Sequence, residues 1–229
     1  MQELSPALLI KAYCAGLFPM APSRDSKTIH WYDPDPRGVL PIANMHVPRR
    51  LIRQIKQEPY RITFNRDFTG VMRACADTRT DTWINDDIIA IYTDLHHQGF
   101  AHSVEAWDND MLAGGVYGIA LGSAFFGESM FSTARDASKI ALVHLVARLY
   151  ARGFTLFDTQ FINPHLLQFG AHEIPRDTYH RQLADALMRN VQFDDDDQSC
   201  AGASAGASSD VNSCGRDVAL FLQSITHTS

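Results

Sequence analysis

The sequence predicts an α+β fold with a mixed, mainly antiparallel sheet, and three observations lead to this class. Segments typical of strands, separated by turn residues, occupy residues 101–127. A helical repeat follows them, and one more short strand follows the helix. A small proline-rich module precedes the whole block. A chain of 229 residues is long enough to bury a real core in one or two domains.

Residues 1 to about 45 are predicted to form a small irregular N-terminal module. A short amphipathic helix runs through Tyr13, and prolines then fix turns and block helix extension. These prolines are Pro19, Pro22, Pro34, Pro36 and Pro41. Trp31 and Tyr32 lie among them, and packing in the core is the usual role of such an aromatic pair.

Residues 46–192 are predicted to form the main domain, which begins with a basic helix after Pro48. Its cations are Arg49, Arg50, Arg53 and Lys56. Residues 49, 53 and 56 fall on one face by helical spacing. Most charge runs are solvated helix faces, and a phosphate-binding face is the alternative. The sequence alone favours neither over the other.

A β-meander is predicted next. Ala101–Trp107 alternates as a half-buried strand does, and residues 108–110 supply a turn. Gly114–Leu121 and Ser123–Gly127 then continue the sheet with antiparallel strands.

A helix and a final strand complete the predicted domain. Residues 133–136 resemble an N-terminal capping box, and Gly153 ends the helical repeat. Residues 155–161 form a strand reached through the helix, so it lies parallel to the strand before it. Because side chains alternate along a strand, Asp158 and Gln160 share one face and can act on one ligand.

The chain ends in an acidic, low-complexity tail, residues 193–229. Six aspartates and one arginine account for most of the net charge of −6, so the rest of the chain is nearly neutral. A near-neutral body argues against a general nucleic-acid binder, and no DNA partner is expected. The run of small residues at 199–209 has nothing to pack, and the tail is predicted to be solvated, with a short docked segment at 218–222 as the alternative.

Two absences in the sequence set further expectations. There is no signal-like start and no apolar run near the ~20 residues that cross a bilayer, so a cytoplasmic protein without a membrane partner is expected. The four cysteines show no metal-ligand spacing, so no metal is expected; they are Cys14, Cys75, Cys200 and Cys214.

Meander, helix and parallel strand is the core order of the acetyltransferase-like (GNAT) domain, but fold alone does not give function. Six motifs, in order across residues 13 to about 187, resemble those of the leucyl/phenylalanyl-tRNA-protein transferase family. They are Gly-Leu-Phe-Pro-Met from Gly16, Trp-Tyr-Asp-Pro-Asp-Pro-Arg from Trp31, His-Ser-Val-Glu-Ala-Trp from His102, Gly-Glu-Ser-Met-Phe-Ser from Gly127, Ala-Ser-Lys from Ala137 and Gly-Ala-His-Glu-Ile-Pro-Arg from Gly170.

The resemblance implies a GNAT-like catalytic domain that moves Leu, and also Phe or Met, from charged tRNA to proteins whose N-terminal residue is Lys or Arg. It further implies that the added residue marks the acceptor for N-end-rule degradation. The donor is already an activated ester, so neither ATP nor another cofactor is expected.

The chemistry is assigned to three residues on this resemblance. Gln160 is expected to accept a hydrogen bond from the attacking amine, and Asp158 to orient the amide or take the proton. Glu128 faces them from the adjacent strand and is expected to hold the acceptor's basic side chain. Electrostatic positioning ranks ahead of proton acceptance for Asp158, and a buried carboxylate satisfied by backbone donors is the structural alternative.

The resemblance also assigns substrate contacts. Tyr32 and Trp107 are expected to contact the donor, Trp107 by stacking on the terminal adenosine of the tRNA. The basic helix is expected to contact acceptor-stem phosphates. An apolar pocket, equally well explained as plain core, is assigned to a donor side chain unbranched at Cβ; its residues are Val116, Phe125, Met130, Leu142 and Phe157, with Asn163 as a further substrate contact. Because Phe157 is bulky, the pocket is expected to accept Leu more readily than Phe.

Three other functions are weighed. An acetyl-CoA transferase needs a glycine-rich loop before the helix, and residues 132–136 contain no glycine. A peptidoglycan-type aminoacyltransferase normally carries a duplicated domain, for which the chain is too short. A non-catalytic adaptor for basic N-termini or tRNA ends needs Glu128 and the basic helix but not Asp158 together with Gln160.

Overall fold

The computed structural model describes residues 4–24, 26, 28–78, 82–194 and 209–226, the last segment by its backbone alone at 209–214 and 226. Most of the predicted acidic and small-residue run, at 195–208, lies outside the described residues, as does Cys200.

The described residues form a mixed α+β fold, as predicted. The helices are α1 (Pro6–Cys14), α2 (Arg49–Ile55), α3 (Phe68–Asp77), α4 (Asp86–His97), α5 (Ala137–Arg152), α6 (Pro164–Leu167), α7 (Arg176–Leu187) and α8 (Ser209–Thr226). The strands are β1 (Phe18–Met20), β2 (His30–Tyr32), β3 (Arg37–Val39), β4 (Arg61–Phe64), β5 (Ala101–Asp108), β6 (Met111–Leu121), β7 (Ala124–Ser132), β8 (Leu156–Gln160) and β9 (His172–Ile174). Among the helices described, none has the length and apolarity to span a bilayer.

The main sheet has seven strands in the order β4-β5-β6-β7-β8-β3-β9, and β1 and β2 pair separately. β7 and β8 run parallel, and the other neighbours within the sheet run antiparallel. The predicted meander and parallel strand are therefore confirmed. β3 comes from the predicted N-terminal module but lies inside the main sheet, between β8 and β9. The division of the chain at residues 45 and 192 stays a prediction.

Helices cover both faces of this sheet. One hydrophobic core joins the sheet to α2, α5 and α8, and the other joins it to α1, α3, α4 and α7. Because side chains alternate, Phe157 enters the first core and Leu156 the second. All five residues of β8 are buried, so any polar side chain on this strand needs a partner.

Helix α5 begins differently from the prediction but ends at the predicted residue. Thr133 does not cap the helix; its hydroxyl donates to the carbonyl of Ala113 at 3.1 Å. Asp136 is the N-cap in a left-handed conformation, with its carboxylate 2.8 Å from Lys139 Nζ. Gly153, at φ 80°, ends the helix as predicted, because glycine adopts this conformation without steric cost.

β7 is longer than predicted. It continues through Glu128 to Ser132 instead of ending at Gly127, so Glu128 lies within the strand. A Cβ at Gly127 would lie 2.7 Å from the ring of Phe157. The absence of a side chain at Gly127 therefore lets the Phe157 ring pack against β7.

Both described parts of the tail are packed, which differs from the predicted solvated tail. Phe193 is 2% exposed and stacks on Phe125, with ring centroids 5.9 Å apart. Among the α8 side chains that the structure describes, at 215–225, Val218, Phe221 and Leu222 are buried. These positions fall on one helix face and pack against α5, so the alternative of a docked segment at 218–222 is confirmed, within a longer helix.

Candidate active site

β7 and β8 separate where the predicted catalytic residues lie. Their parallel pairing covers Ala124–Phe126 against Leu156–Asp158. Beyond this point β8 no longer pairs with β7, while its pairing with β3 on the other side continues to Gln160, which lies opposite Gly38. The strands therefore open into a cleft, with Glu128 on one wall and Gln160 on the other.

Asp158 is fully buried and fully hydrogen-bonded. Its Oδ1 accepts from Arg37 Nε at 2.9 Å and from the Gln160 backbone N–H at 2.8 Å. Its Oδ2 accepts from Arg37 Nη2 at 2.6 Å and from the Tyr179 hydroxyl at 2.8 Å. Since a carboxylate offers about four lone-pair sites, no site is left for a substrate proton. This geometry favours positioning over proton acceptance.

Arg37, the last residue of the second sequence motif, is the partner that the sequence analysis missed. Its side chain is fully buried and also donates to the carbonyl of Gly16 at 2.8 Å. The guanidinium lies over the rings of Phe18 and Tyr179, at 4.9 and 4.1 Å. Burial alone would lower the pKa of Arg37, but the hydrogen bond and negative charge of Asp158 outweigh it and raise that pKa.

The backbone conformation of Gln160 fixes the position of its side chain. It adopts a left-handed conformation, φ 58°, which disfavours a side chain of this kind. The backbone hydrogen bond to Asp158 holds this conformation. The carboxamide Nε2 lies 3.4 Å from Glu128 Oε1, so Asp158 orients the amide indirectly, through the main chain.

Glu128, on the β7 wall of the cleft, belongs to a polar cluster with two tyrosines. Its Oε1 accepts from the Tyr13 hydroxyl at 2.7 Å, and its Oε2 lies 3.4 Å from the Tyr92 hydroxyl. The two hydroxyls are 2.6 Å apart. Burial raises the pKa of Glu128 to about 8, although the hydrogen bond from Tyr13 lowers it. Neither tyrosine was predicted; each occupies an apolar helix position, where a hydroxyl is easily overlooked.

Tyr32 is connected to this site through one aromatic ring. It is 39% exposed and stacks on Phe18, with ring centroids 5.8 Å apart. Phe18 in turn contacts Arg37 and the exposed ring of Phe161. Trp31 packs against the second core. An accessible aromatic surface thus borders the Arg37–Asp158 pair.

Trp107 lies elsewhere on the sheet. It belongs to β5, which β6 separates from β7. Its indole N–H donates to Thr63 Oγ1 at 2.8 Å, and the guanidinium groups of Arg61 and Arg66 lie over its ring. The structure does not bring Trp107 into the cluster of Asp158, Gln160 and Glu128.

The five predicted pocket residues converge on the α5 side of the sheet. Four of them are at most 4% exposed: Val116, Phe125, Leu142 and Phe157. Phe125 and Phe157 pack edge to face at 5.3 Å. Met130 alone of the five is partly exposed. In this conformation the group forms packed core, with Met130 as its accessible member.

The predicted tRNA contacts lie near the start of α5. The side chains of Arg49, Arg50, Arg53 and Lys56 are exposed, and Arg50 Nη2 is 3.6 Å from Asp136 Oδ2. Asn163 is the N-cap of α6, where its Oδ1 accepts from the Leu166 N–H at 3.0 Å. The Asn163 side chain therefore has a structural role in the fold.

Comparisons with known proteins agree with one another. The family model described as Leucyl/phenylalanyl-tRNA protein transferase matches residues 39–184, and that of the N-terminal domain of this family matches residues 2–35. A Leucyl/phenylalanyl-tRNA--protein transferase from Cereibacter sphaeroides is 55% identical over 83% of this chain and 88% of its own. The protein of the same name from Hyphomonas neptunium is 52% identical over 91% of this chain and 84% of its own.

Proposed function

The chain belongs to the leucyl/phenylalanyl-tRNA-protein transferase family, and from this premise we propose that it moves leucine from charged tRNA to proteins whose N-terminal residue is Lys or Arg. Phenylalanine and methionine are further proposed donors. The product is proposed to enter N-end-rule degradation, and the reaction to take place in the cytoplasm. The aminoacyltransferase class itself follows from the family.

The observation that best supports this function is the meeting of Glu128 and Gln160 across the cleft between β7 and β8. Peptide-bond formation from an activated ester needs little besides an amine held at the carbonyl and relieved of a proton. A carboxylate and an amide that face each other where two parallel strands separate can hold the amine and accept its proton. The β7-α5-β8 crossover also supports a GNAT-like catalytic domain, which we propose for residues 46–192.

Each part of the substrate has a proposed contact. Gln160 accepts a hydrogen bond from the amine, and Asp158 holds Gln160 in place. Tyr32 and Trp107 contact the donor nucleotide, with Tyr32 the better supported because it borders the cleft. The donor side chain enters beside Met130 and displaces part of the packed pocket group. Asn163 is a further proposed substrate contact. Its side chain would also have to cap α6.

The basic helix α2 is proposed to bind the acceptor stem of the tRNA. Three exposed arginines on this short helix and Lys56 at its C-cap provide phosphate contacts that do not depend on base sequence. The contact of Arg50 with Asp136 places this helix beside the start of α5. Helix α5 follows the end of β7 at which the cleft lies.

The decisive experiment uses purified protein, leucyl-tRNA and a peptide that begins with Arg. Mass spectrometry should find one added leucine on this peptide and none on a matched peptide that begins with Glu. A non-catalytic adaptor would bind the Arg peptide and leave its mass unchanged. Binding without transfer would therefore contradict the proposed function.

A further inference from the structure

We propose that Glu128 is the general base of the transfer reaction, and that the cation it meets is the α-ammonium group of the acceptor rather than the basic side chain. This assignment rests on the proposed function. It changes the expected role of Glu128 from recognition to proton transfer.

Asp158 has no free acceptor site for a substrate proton. Both of its oxygens accept two hydrogen bonds, and three of the four donors are side-chain groups of Arg37 and Tyr179. To accept a proton, Asp158 would have to lose one of these hydrogen bonds and the negative charge that compensates the buried Arg37 guanidinium. Glu128 is the other carboxylate of the cluster, and unlike Asp158 it is partly exposed.

The two carboxylate oxygens of Glu128 differ in the number of donors that they face. Oε1 already faces two donors, Tyr13 at 2.7 Å and Gln160 at 3.4 Å. Oε2 lies 3.4 Å from the Tyr92 hydroxyl, whose single proton also faces the Tyr13 hydroxyl at 2.6 Å. At least one site on Oε2 is therefore open, which suits a single N–H. A guanidinium fork needs one open site on each oxygen, so an Arg side chain fits poorly.

The attacking nitrogen of the acceptor is expected to lie at the Glu128 carboxylate. Gln160, which is proposed to hold the attacking amine, contacts Glu128 directly. A group held by the Gln160 amide therefore lies within reach of Glu128 Oε2. The α-nitrogen is that group, because it is the atom that attacks the ester.

The charged and titratable neighbours of Glu128 come from four elements. Tyr13 on α1 donates to it, the Tyr92 hydroxyl on α4 lies 3.4 Å away, Asp158 on β8 adds negative charge, and Arg37 on β3 opposes that charge. The resulting pKa of about 8 lies close to that of an α-ammonium group, about 7.7–8.0, so proton transfer between the two is nearly balanced.

The proton balance of the reaction is complete without a cofactor. The ammonium gives one proton to the Glu128 carboxylate and becomes a neutral amine. The amine nitrogen attacks the ester carbonyl, a C–N bond forms, and the bond between the carbonyl carbon and the ribose oxygen breaks. The nitrogen loses a second proton, which the ribose oxygen takes up as it leaves. Glu128 then returns the first proton to water.

The test compares the parent protein and Glu128→Gln on two acceptors. With an Arg-starting peptide, the variant should lose ~10²-fold or more in kcat, the range for a lost general base, while KM for the peptide stays within about twofold. With an analogue that carries an aminooxy group in place of the α-amino group, which is neutral at pH 7, the variant should approach the parent's rate. Thermal melting checks that the variant is folded.

A second variant shifts the pH profile. Tyr13→Phe removes a hydrogen bond that lowers the pKa of Glu128, so the pH at half-maximal kcat should rise. A large rise in KM with kcat retained in Glu128→Gln would assign Glu128 to side-chain binding and overturn the proposal. Absence of aminooxy rescue or an unshifted Tyr13→Phe profile would also overturn it. A parent protein that transfers no leucine would instead contradict the proposed function.

Discussion

Arg37 and Asp158 stand 121 positions apart in the chain and form a buried, bidentate ion pair. The alternation of side chains along a strand was enough to place Asp158 near Gln160 and to face Glu128 toward them. The partner of Asp158 was not predictable in this way, because β3 reaches β8 only through the tertiary fold. Local patterns therefore located the polar residues of the cleft and left their hydrogen bonds undetermined.

The ion pair leads to a prediction about stability. Asp158→Asn leaves the Arg37 charge buried without its counterion, and breaking such a pair costs about 3–5 kcal/mol. The free energy of unfolding, measured in urea, should fall by this amount. Asp33→Asn is the control, since Asp33 lies 3.5 Å from Arg37 and is 25% exposed, and it should cost much less. Equal stability of Asp158→Asn and the parent would show that the pair is not a constraint on the fold.

At the scale of the element, helices and strands with a clear period were the predictable part. The helical repeat of α5 and the extended pattern of β5 were recognisable, but the half-buried alternation predicted for β5 is wrong: helices cover both faces of the sheet, and Ala101–Ala106 are all buried. Helix caps and strand ends were less predictable: Thr133 bonds to β6 instead of capping α5. For the tail, the polar and small overall composition favours a solvated segment and leaves docking at 218–222 as the alternative; docking depends on a few apolar positions, of which Val218, Phe221 and Leu222 are buried in the described part of α8.

Docking of α8 can be tested with neighbouring residues of one helix. Phe221 is fully buried and contacts the ring of Tyr150, whereas Leu220 is 63% exposed. Phe221→Ala should destabilise the protein by about 3 kcal/mol or more if α8 unfolds with the core. Leu220→Ala should change stability by less than about 0.5 kcal/mol. Similar melting temperatures for the two variants would mean that α8 contributes nothing to the core.

Across the whole molecule, charge is distributed so that one basic helix stands out from a nearly neutral body. If Arg53 contacts a tRNA phosphate, Arg53→Ala should weaken binding of charged tRNA and reduce the log-log salt slope by about one unit. A small aminoacyl-nucleoside donor should be used equally well by variant and parent. Arg73→Ala, on the opposite face of the sheet, is the matched control. Loss of activity with both donors would point to a folding defect.

Global stability should also depend on pH through buried histidines. Burial lowers the pKa of His144 to about 4, below the ordinary 6.5, and burial together with His96 lowers the pKa of His102 to about 3. The unfolded chain binds more protons between these values, so stability is complete above pH 6.5 and falls as the pH drops toward 4. Urea unfolding at pH 5 and pH 7 should show a smaller difference in His144→Gln than in the parent.

The exposed His97 provides the control for this measurement, and His97→Gln should keep the parent's pH dependence. Glu128 acts in the opposite direction: its pKa is raised to about 8, so its contribution is lost as the pH rises from 4.5 toward 8. An unchanged pH 5 to pH 7 difference in His144→Gln would show that His144 titrates normally.

The position of β3 between β8 and β9 has a consequence for synthesis on the ribosome. Arg37 leaves the exit tunnel long before either neighbouring strand exists, and at 5–20 residues per second the wait for Asp158 lasts roughly 6–25 s. During that interval neither strand that flanks β3 has been synthesised. The Arg37 guanidinium must therefore remain hydrated or be bound by a chaperone. The enzyme therefore completes the Arg37–Asp158 pair and its cleft only after β8 has been translated.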